Sequence, residues 1–255
     1  MASNIMLRRF TIDDTSSVLT KQVFQGAGIL LALALDRTDS SGLVTTIYDS
    51  ARGSASDPSI YTQTGDTDLG QTVPVFLQGD ADLVAGTSTA GVGGGLIFSD
   101  GLYLVNTGDT TDAAVTYKLW FKPLIKKTVN ITTTGAAGSG AGAAQIWQGP
   151  ALWHGYAITL DPASPSTVDI VFRDSITDAA PTVMTKTNYA TTPGTKVLRK
   201  VVTTTGEDEA GAAVTCAATG TYGNNGIYLE TGLRAVVAQS NAFTRAVSID
   251  GLFEK

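Results

Sequence analysis

The chain holds one histidine, His154, and one cysteine, Cys216. A Ser-His-Asp triad would have to move its proton through His154. No Gly-x-Ser-x-Gly pattern supplies the sharp turn that exposes a serine nucleophile. His154 lies between Trp153 and Gly155 and reads as a packing or surface residue. A lone imidazole and a lone thiol do not make a zinc or copper centre, and one cysteine excludes an internal disulfide framework. Glycoside hydrolysis needs two placed carboxylates. The only glutamates are Glu207, Glu209, Glu230 and Glu254, and no pair stands out. Asp66-Thr67-Asp68 and Asp80-Ala81-Asp82 offer oxygen ligands of the kind calcium takes, but neither matches the twelve-residue loop. Gly93-Gly94-Gly95 lacks the lysine and hydroxyl of a phosphate loop. These residues together predict no catalysis, no metal and no cofactor.

Three aromatic residues fall close together: Trp147, Trp153 and Tyr156. Such a group could stack on a sugar. Trp147 aligns with Phe24 in the repeat described next and reads as a core anchor. Trp153 and Tyr156 have no aromatic counterpart there, which makes them candidates for a partner contact.

The elements that would position these residues come in two copies. Gln22-Val23-Phe24-Gln25-Gly26 reappears 123 residues later as Gln145-Ile146-Trp147-Gln148-Gly149. Leu33-Ala34-Leu35-Asp36 answers Ile158-Thr159-Leu160-Asp161, and Ile47 to Ser50 answers Val171 to Ser175. Pro58 to Thr64 answers Pro181 to Thr187, and Gly95 to Leu102 answers Gly226 to Leu233. Ala114-Val115 through Phe121 answers Ala246-Val247 through Phe253. The matches are collinear, and a unit of about 125 residues has the size of a domain rather than of a solenoid repeat. The boundary is expected near Lys126-Lys127, giving domains 1–127 and 128–255. The glycine-rich stretch from Gly135 to Ala144 then reads as a loop of the second repeat. Asn4 to Thr11 is either the counterpart of Thr128 to Thr134 or an arm that crosses to a neighbour. Its Arg8 and Arg9 are candidates for contact between chains.

Composition sets the class. The 255 residues are 43% hydrophobic and 16% charged, with 28 glycines, which opposes long helices and suits short strands joined by tight turns. Thr45 to Tyr48, Ala157 to Leu160, Thr167 to Phe172, Lys196 to Val202, Val115 to Phe121 and Ala246 to Ile249 read as strands. Ile29 to Leu35 could form a helix by propensity, but its strand-like counterpart makes it a strand. The expected fold is all-β: two tandem, duplicated β-sandwich domains of jelly-roll type. The longest apolar run, Ile29 to Leu35, has seven residues, far short of a membrane span. The first residues lack the apolar core of a secretory signal, so the formal sequon Asn130-Ile131-Thr132 reads as strand. Residues 1–125 carry seven basic and thirteen acidic side chains, all Asp, whereas residues 126–255 carry ten of each. That surplus repels phosphates, so no nucleic acid is expected. The Asp residues read as turn caps or as a face for a basic partner.

In its Gly, Thr and Ala content, its domain size and the strand pairs Gly95 to Tyr103 and Gly226 to Val237, the chain resembles structural proteins of tailed-phage virions. The likeness is to the β-sandwich domains that decorate or cement capsids. The resemblance implies a non-enzymatic protein, made in the host cytoplasm and placed on the capsid exterior. It implies contact with the major capsid protein and self-association as a homotrimer or homodimer. The alternative is a tail or fibre-associated module that binds host polysaccharide through Trp153 and Tyr156.

Overall fold

The computed structural model describes residues 5–13, 18–37, 44–54, 57–64, 75–76, 95–107, 114–133, 142–161, 167–177, 182–190, 196–200, 206–207, 213–216, 226–238 and 245–255. Asp66 to Asp68, Asp80 to Asp82 and Gly93-Gly94 lie outside them. The chain divides into two compact units, Met1–Leu124 and Ile125–Lys255. Lys126 and Lys127, taken from sequence as the boundary, lie inside a strand of the second unit.

In the first unit the strands are β1 (Met6–Asp13), β2 (Val18–Gln25), β3 (Gly28–Arg37), β4 (Val44–Asp49), β5 (Ser59–Thr64), β6 (Val75–Phe76), β7 (Leu96–Phe98), β8 (Gly101–Thr107) and β9 (Ala114–Pro123). They form two antiparallel sheets, β1-β9-β3-β6 and β2-β8-β4-β5, and β7 also pairs with β3. β6 and β7 together occupy one strand position. Leu33 and Ala32 pair with Val75 and Phe76, and Leu30, Ile29 and Gly28 then pair with Leu96, Ile97 and Phe98. Counted as one strand, they give eight strands in the jelly-roll order 1-8-3-6 and 2-7-4-5.

The second unit repeats this plan. Its strands are β10 (Ile125–Thr133), β11 (Gly142–Gln148), β12 (Ala151–Leu160), β13 (Thr167–Asp174), β14 (Thr182–Ala190), β15 (Lys196–Lys200), β16 (Gly206–Glu207), β17 (Ala213–Cys216), β18 (Ile227–Leu229), β19 (Gly232–Ala238) and β20 (Arg245–Glu254). One sheet is β10-β20-β12-β15, with β18 also on β12, and the other is β11-β19-β13-β14-β17-β16. The strand split between β6 and β7 recurs as β15 and β18. A glycine immediately precedes the second segment in both units, Gly95 at φ +77° and Gly226 at φ +123°. A Cβ at either would meet backbone, 2.6 Å from the Leu30 oxygen and 2.5 Å from the Trp153 oxygen respectively. Only glycine tolerates both the backbone angle and the approach.

Alternation explains the strands. β4 alternates half-buried and buried residues along its length, as a strand with one face on a core must. The run Ile29 to Leu35 is strand, within β3. Phe24 packs on Phe121 at a centroid distance of 4.8 Å, and Trp147 packs on Phe253 at the same 4.8 Å. Trp147 is therefore a core anchor, as its alignment with Phe24 implied.

Strand pairing corrects one part of the alignment. Leu33 pairs with Leu119, whereas Tyr156 pairs with Gly251, the counterpart of Leu119. Leu33 thus matches Tyr156, Leu30 matches Trp153, and the offset along β3 stays at 123 instead of moving to 125. Asn4 to Thr11 is not a free arm. Its residues from Met6 form β1, which pairs with β9 as β10 pairs with β20. Gly142 to Ala144, expected in a loop, open β11; Gly135 to Ala141 lie outside the described residues.

Candidate functional site

The residues shared by the two copies converge on one corner of each sandwich. β2 carries a bulge between Gln22 and Phe24, and β11 carries one between Gln145 and Trp147. A bulge leaves carbonyls without ladder partners. The Gln22 amide nitrogen donates to the carbonyls of Phe24 at 2.7 Å, Ser50 at 2.9 Å and Leu102 at 3.1 Å. The Gln145 amide nitrogen donates to the equivalent carbonyls of Trp147, Ser175 at 2.9 Å and Leu233 at 3.1 Å. One primary amide thus ties three chain segments together, which a shorter or acceptor-only side chain could not do.

A carboxylate closes the same corner. Asp49 accepts the backbone N–H groups of Ser99 at 2.9 Å, Asp100 at 2.6 Å and Gly101 at 3.1 Å, together with the Ser99 hydroxyl at 2.8 Å. Asp174 accepts those of Glu230 at 2.8 Å, Thr231 at 2.8 Å and Gly232 at 2.9 Å. Ser50 Oγ accepts from the N–H groups of Arg52 and Ser54, and Ser175 Oγ from that of Thr177. The turn amides are satisfied by side chains within the fold, which leaves them no part in holding a ligand. In the sequence these residues mark the duplication. Their role was legible in principle, because polar identities kept inside apolar strands point to satisfied backbone.

The sequence-predicted contact residues separate. Trp153 and Tyr156 are both 0% exposed. They pack with each other and with Phe172, at centroid distances of 4.8 to 5.7 Å, and the Trp153 indole donates to the Gly155 carbonyl at 2.8 Å. Neither has a face to offer a sugar, which removes the proposed stacking platform. Their counterparts Leu30 and Leu33 are equally buried. Volume has been exchanged within the core. Where the second unit has Trp153, Tyr156 and Phe172 with Leu229 and Ile249, the first has Leu30, Leu33 and Ile47 with Phe98 and Tyr117. Such compensation preserves packing density.

His154 is 9% exposed, and its Nε2 lies 3.0 Å from Glu254 Oε2. It therefore packs and pairs within its unit. Asn130 to Thr132 are in β10, with Ile131 buried. Cys216 is the last residue of β17 and pairs with Met184. No cluster of three or more His, Cys, Asp or Glu able to hold a metal occurs among the described residues. Among the described residues no helix is long and apolar enough to cross a membrane. Arg8 and Arg9 remain on the surface, on β1.

One buried polar cluster of the first unit, Thr45, Asn106 and Tyr117, has no equivalent in the second. Tyr117 Oη donates to Asn106 Oδ1 at 2.7 Å and Thr45 Oγ1 donates to the same oxygen at 2.9 Å, with all three residues 0% exposed. The matching residues are Ile249, Val237 and Ile170.

No protein-family model matches the chain, and no curated protein sequence matches it. Among solved structures, it aligns with the infectious bursal disease virus VP2 subviral particle at 10% identity. That alignment covers 98% of this chain and 79% of the other, with a TM-score of 0.20. It also aligns with infectious bursal disease virus strain Gx at 11% identity, covering 98% and 80%, with a TM-score of 0.20. The jelly-roll assignment stands on the strand order of each unit.

Proposed function

We propose that the chain is a non-enzymatic virion structural protein that binds the outer surface of a capsid and stabilises its lattice. The observation that supports this reading is one jelly roll built twice in a single chain, with the residues common to both copies used in holding the corner. Jelly rolls serve capsid proteins and lectins alike, so the fold alone does not choose between them. The burial of Trp153 and Tyr156 weighs against the polysaccharide-binding alternative, because that reading rested on their exposure. Two like domains on one chain can engage two like neighbouring sites of a lattice, and the second contact gains from high effective concentration. The partner in this reading is the major capsid protein, and self-association as a trimer or dimer would multiply the effect.

The test is thermal. Adding the purified protein to matching capsids that lack it should raise their rupture temperature, with the protein sedimenting alongside them. Absence from the capsid pellet, with rupture unchanged, would overturn the reading.

A further inference from the structure

The two units differ in how charges are arranged on the outer face of the sheet that contains β1 or β10. β1 ends its sheet, and its Leu7, Arg8, Arg9 and Thr11 are exposed, Leu7 at 52%. Directly opposite one another in the β1–β9 ladder stand Leu7 and half-buried Trp120, then Arg9 and Lys118. Opposed residues of an antiparallel pair share a face, and like charges so placed destabilise it. Among the described residues no carboxylate pairs with Arg9 or Lys118.

The second unit has resolved the same positions differently. Thr128 and Asp250 replace Arg9 and Lys118. Thr128 donates to Asp250 at 2.6 Å, and Lys196 approaches the same carboxylate at 3.2 Å. Asp250 is thus paired within its own unit, whereas the matching positions of the first unit set Arg9 and Lys118 side by side, next to exposed Leu7 and two residues along the ladder from Asp36.

We propose that the β1 edge, which has no second neighbour among the described strands, and its outer face bind an extended acidic segment of another protein, which adds there as a strand. The edge supplies backbone donors and acceptors, Leu7 and Trp120 supply an apolar seat, and Arg9 and Lys118 supply the charge that selects the sequence. Arg8 and Arg9 on the edge oppose pairing with the same strand of a second copy, since arginines would be brought together. The inference does not depend on the capsid reading, because it specifies the chemistry of the partner strand and not its source.

The test uses the full chain and a fluorescently labelled eight-residue peptide that alternates Asp or Glu with Val or Thr. A peptide of the same pattern with Lys in place of the acids and a single-stranded oligonucleotide are the competitors. The acidic peptide should bind with salt-sensitive anisotropy, and amide shifts should centre on β1. The double variant Arg9→Gln/Lys118→Gln should weaken binding at least about tenfold. Thermal unfolding should not fall, since two opposed like charges are removed, and Lys127→Gln on β10 should bind as the unsubstituted chain does. Leu7→Glu should also weaken binding. The proposal is overturned if the acidic peptide does not bind at up to about 1 mM, if the basic peptide or the oligonucleotide binds as well, or if the double variant keeps full affinity.

Discussion

Gln22 and Gln145 hold the same three carbonyls in their respective units, across a bulge that falls at the same place. The side chain that marks the duplication is therefore a structural tie. Replacing either glutamine by alanine should cost about 1–3 kcal/mol, the penalty for leaving buried carbonyls unpaired. Hydrogen exchange read by peptide should localise the lost protection to the unit that carries the change. Loss spread equally over both units would contradict this.

Gly101 and Gly232 start the strands that accept those ties. A Cβ on Gly101 would stand 2.6 Å from the carbonyl oxygens of Phe24 and Ser50, and one on Gly232 would strike the Trp147 carbonyl at a backbone φ of +146°. Gly101→Ala and Gly232→Ala should each destabilise by about 2–3 kcal/mol through overpacking and strain. Denaturant unfolding measures the difference. Gly149, at φ +86° with nothing within 4 Å of an added Cβ, has only the backbone term and should tolerate alanine better.

Trp153 occupies the core position that Leu30 holds in the other unit. Trp153→Ala should cost about 3–5 kcal/mol, as large-to-small core changes do. Trp153→Leu paired with Leu229→Phe, which copies the first unit's solution, should recover part of that loss. Calorimetry of the single and double variants checks the coupling.

In the first unit, Tyr117→Phe removes one of two donors to Asn106 Oδ1 in a fully buried group. The expected loss is about 1–2 kcal/mol. The triple change Thr45→Ile/Asn106→Val/Tyr117→Ile copies the second unit's apolar residues, and should cost less than the sum of its parts. Equilibrium unfolding of the series tests this.

Strand positions and the duplication were legible because alternation in stretches such as Thr45 to Tyr48 and Val115 to Phe121 survives in single sequences. The register of β3 was not. Leu33-Ala34-Leu35-Asp36 matches Ile158-Thr159-Leu160-Asp161 well at an offset of 125, but an alternating strand looks alike after a slide of two residues, and only pairing fixes 123. Trp153 and Tyr156 misled for a related reason. Their odd spacing puts them on opposite faces of a regular strand, and the bulge between Trp153 and Gly155 turns both inward. The cationic face was legible only in part. Arg8 and Arg9 stood out in sequence, but the apposition of Arg9 with Lys118 depends on a β-ladder spanning more than a hundred residues.

The most direct measurement is a reconstruction of the virion proposed to carry this chain. Paired densities of similar size are expected on the outside of the shell, each fitted by one jelly roll. Density for the chain confined to the tail or its fibres, or its absence from the particle, would contradict the capsid reading.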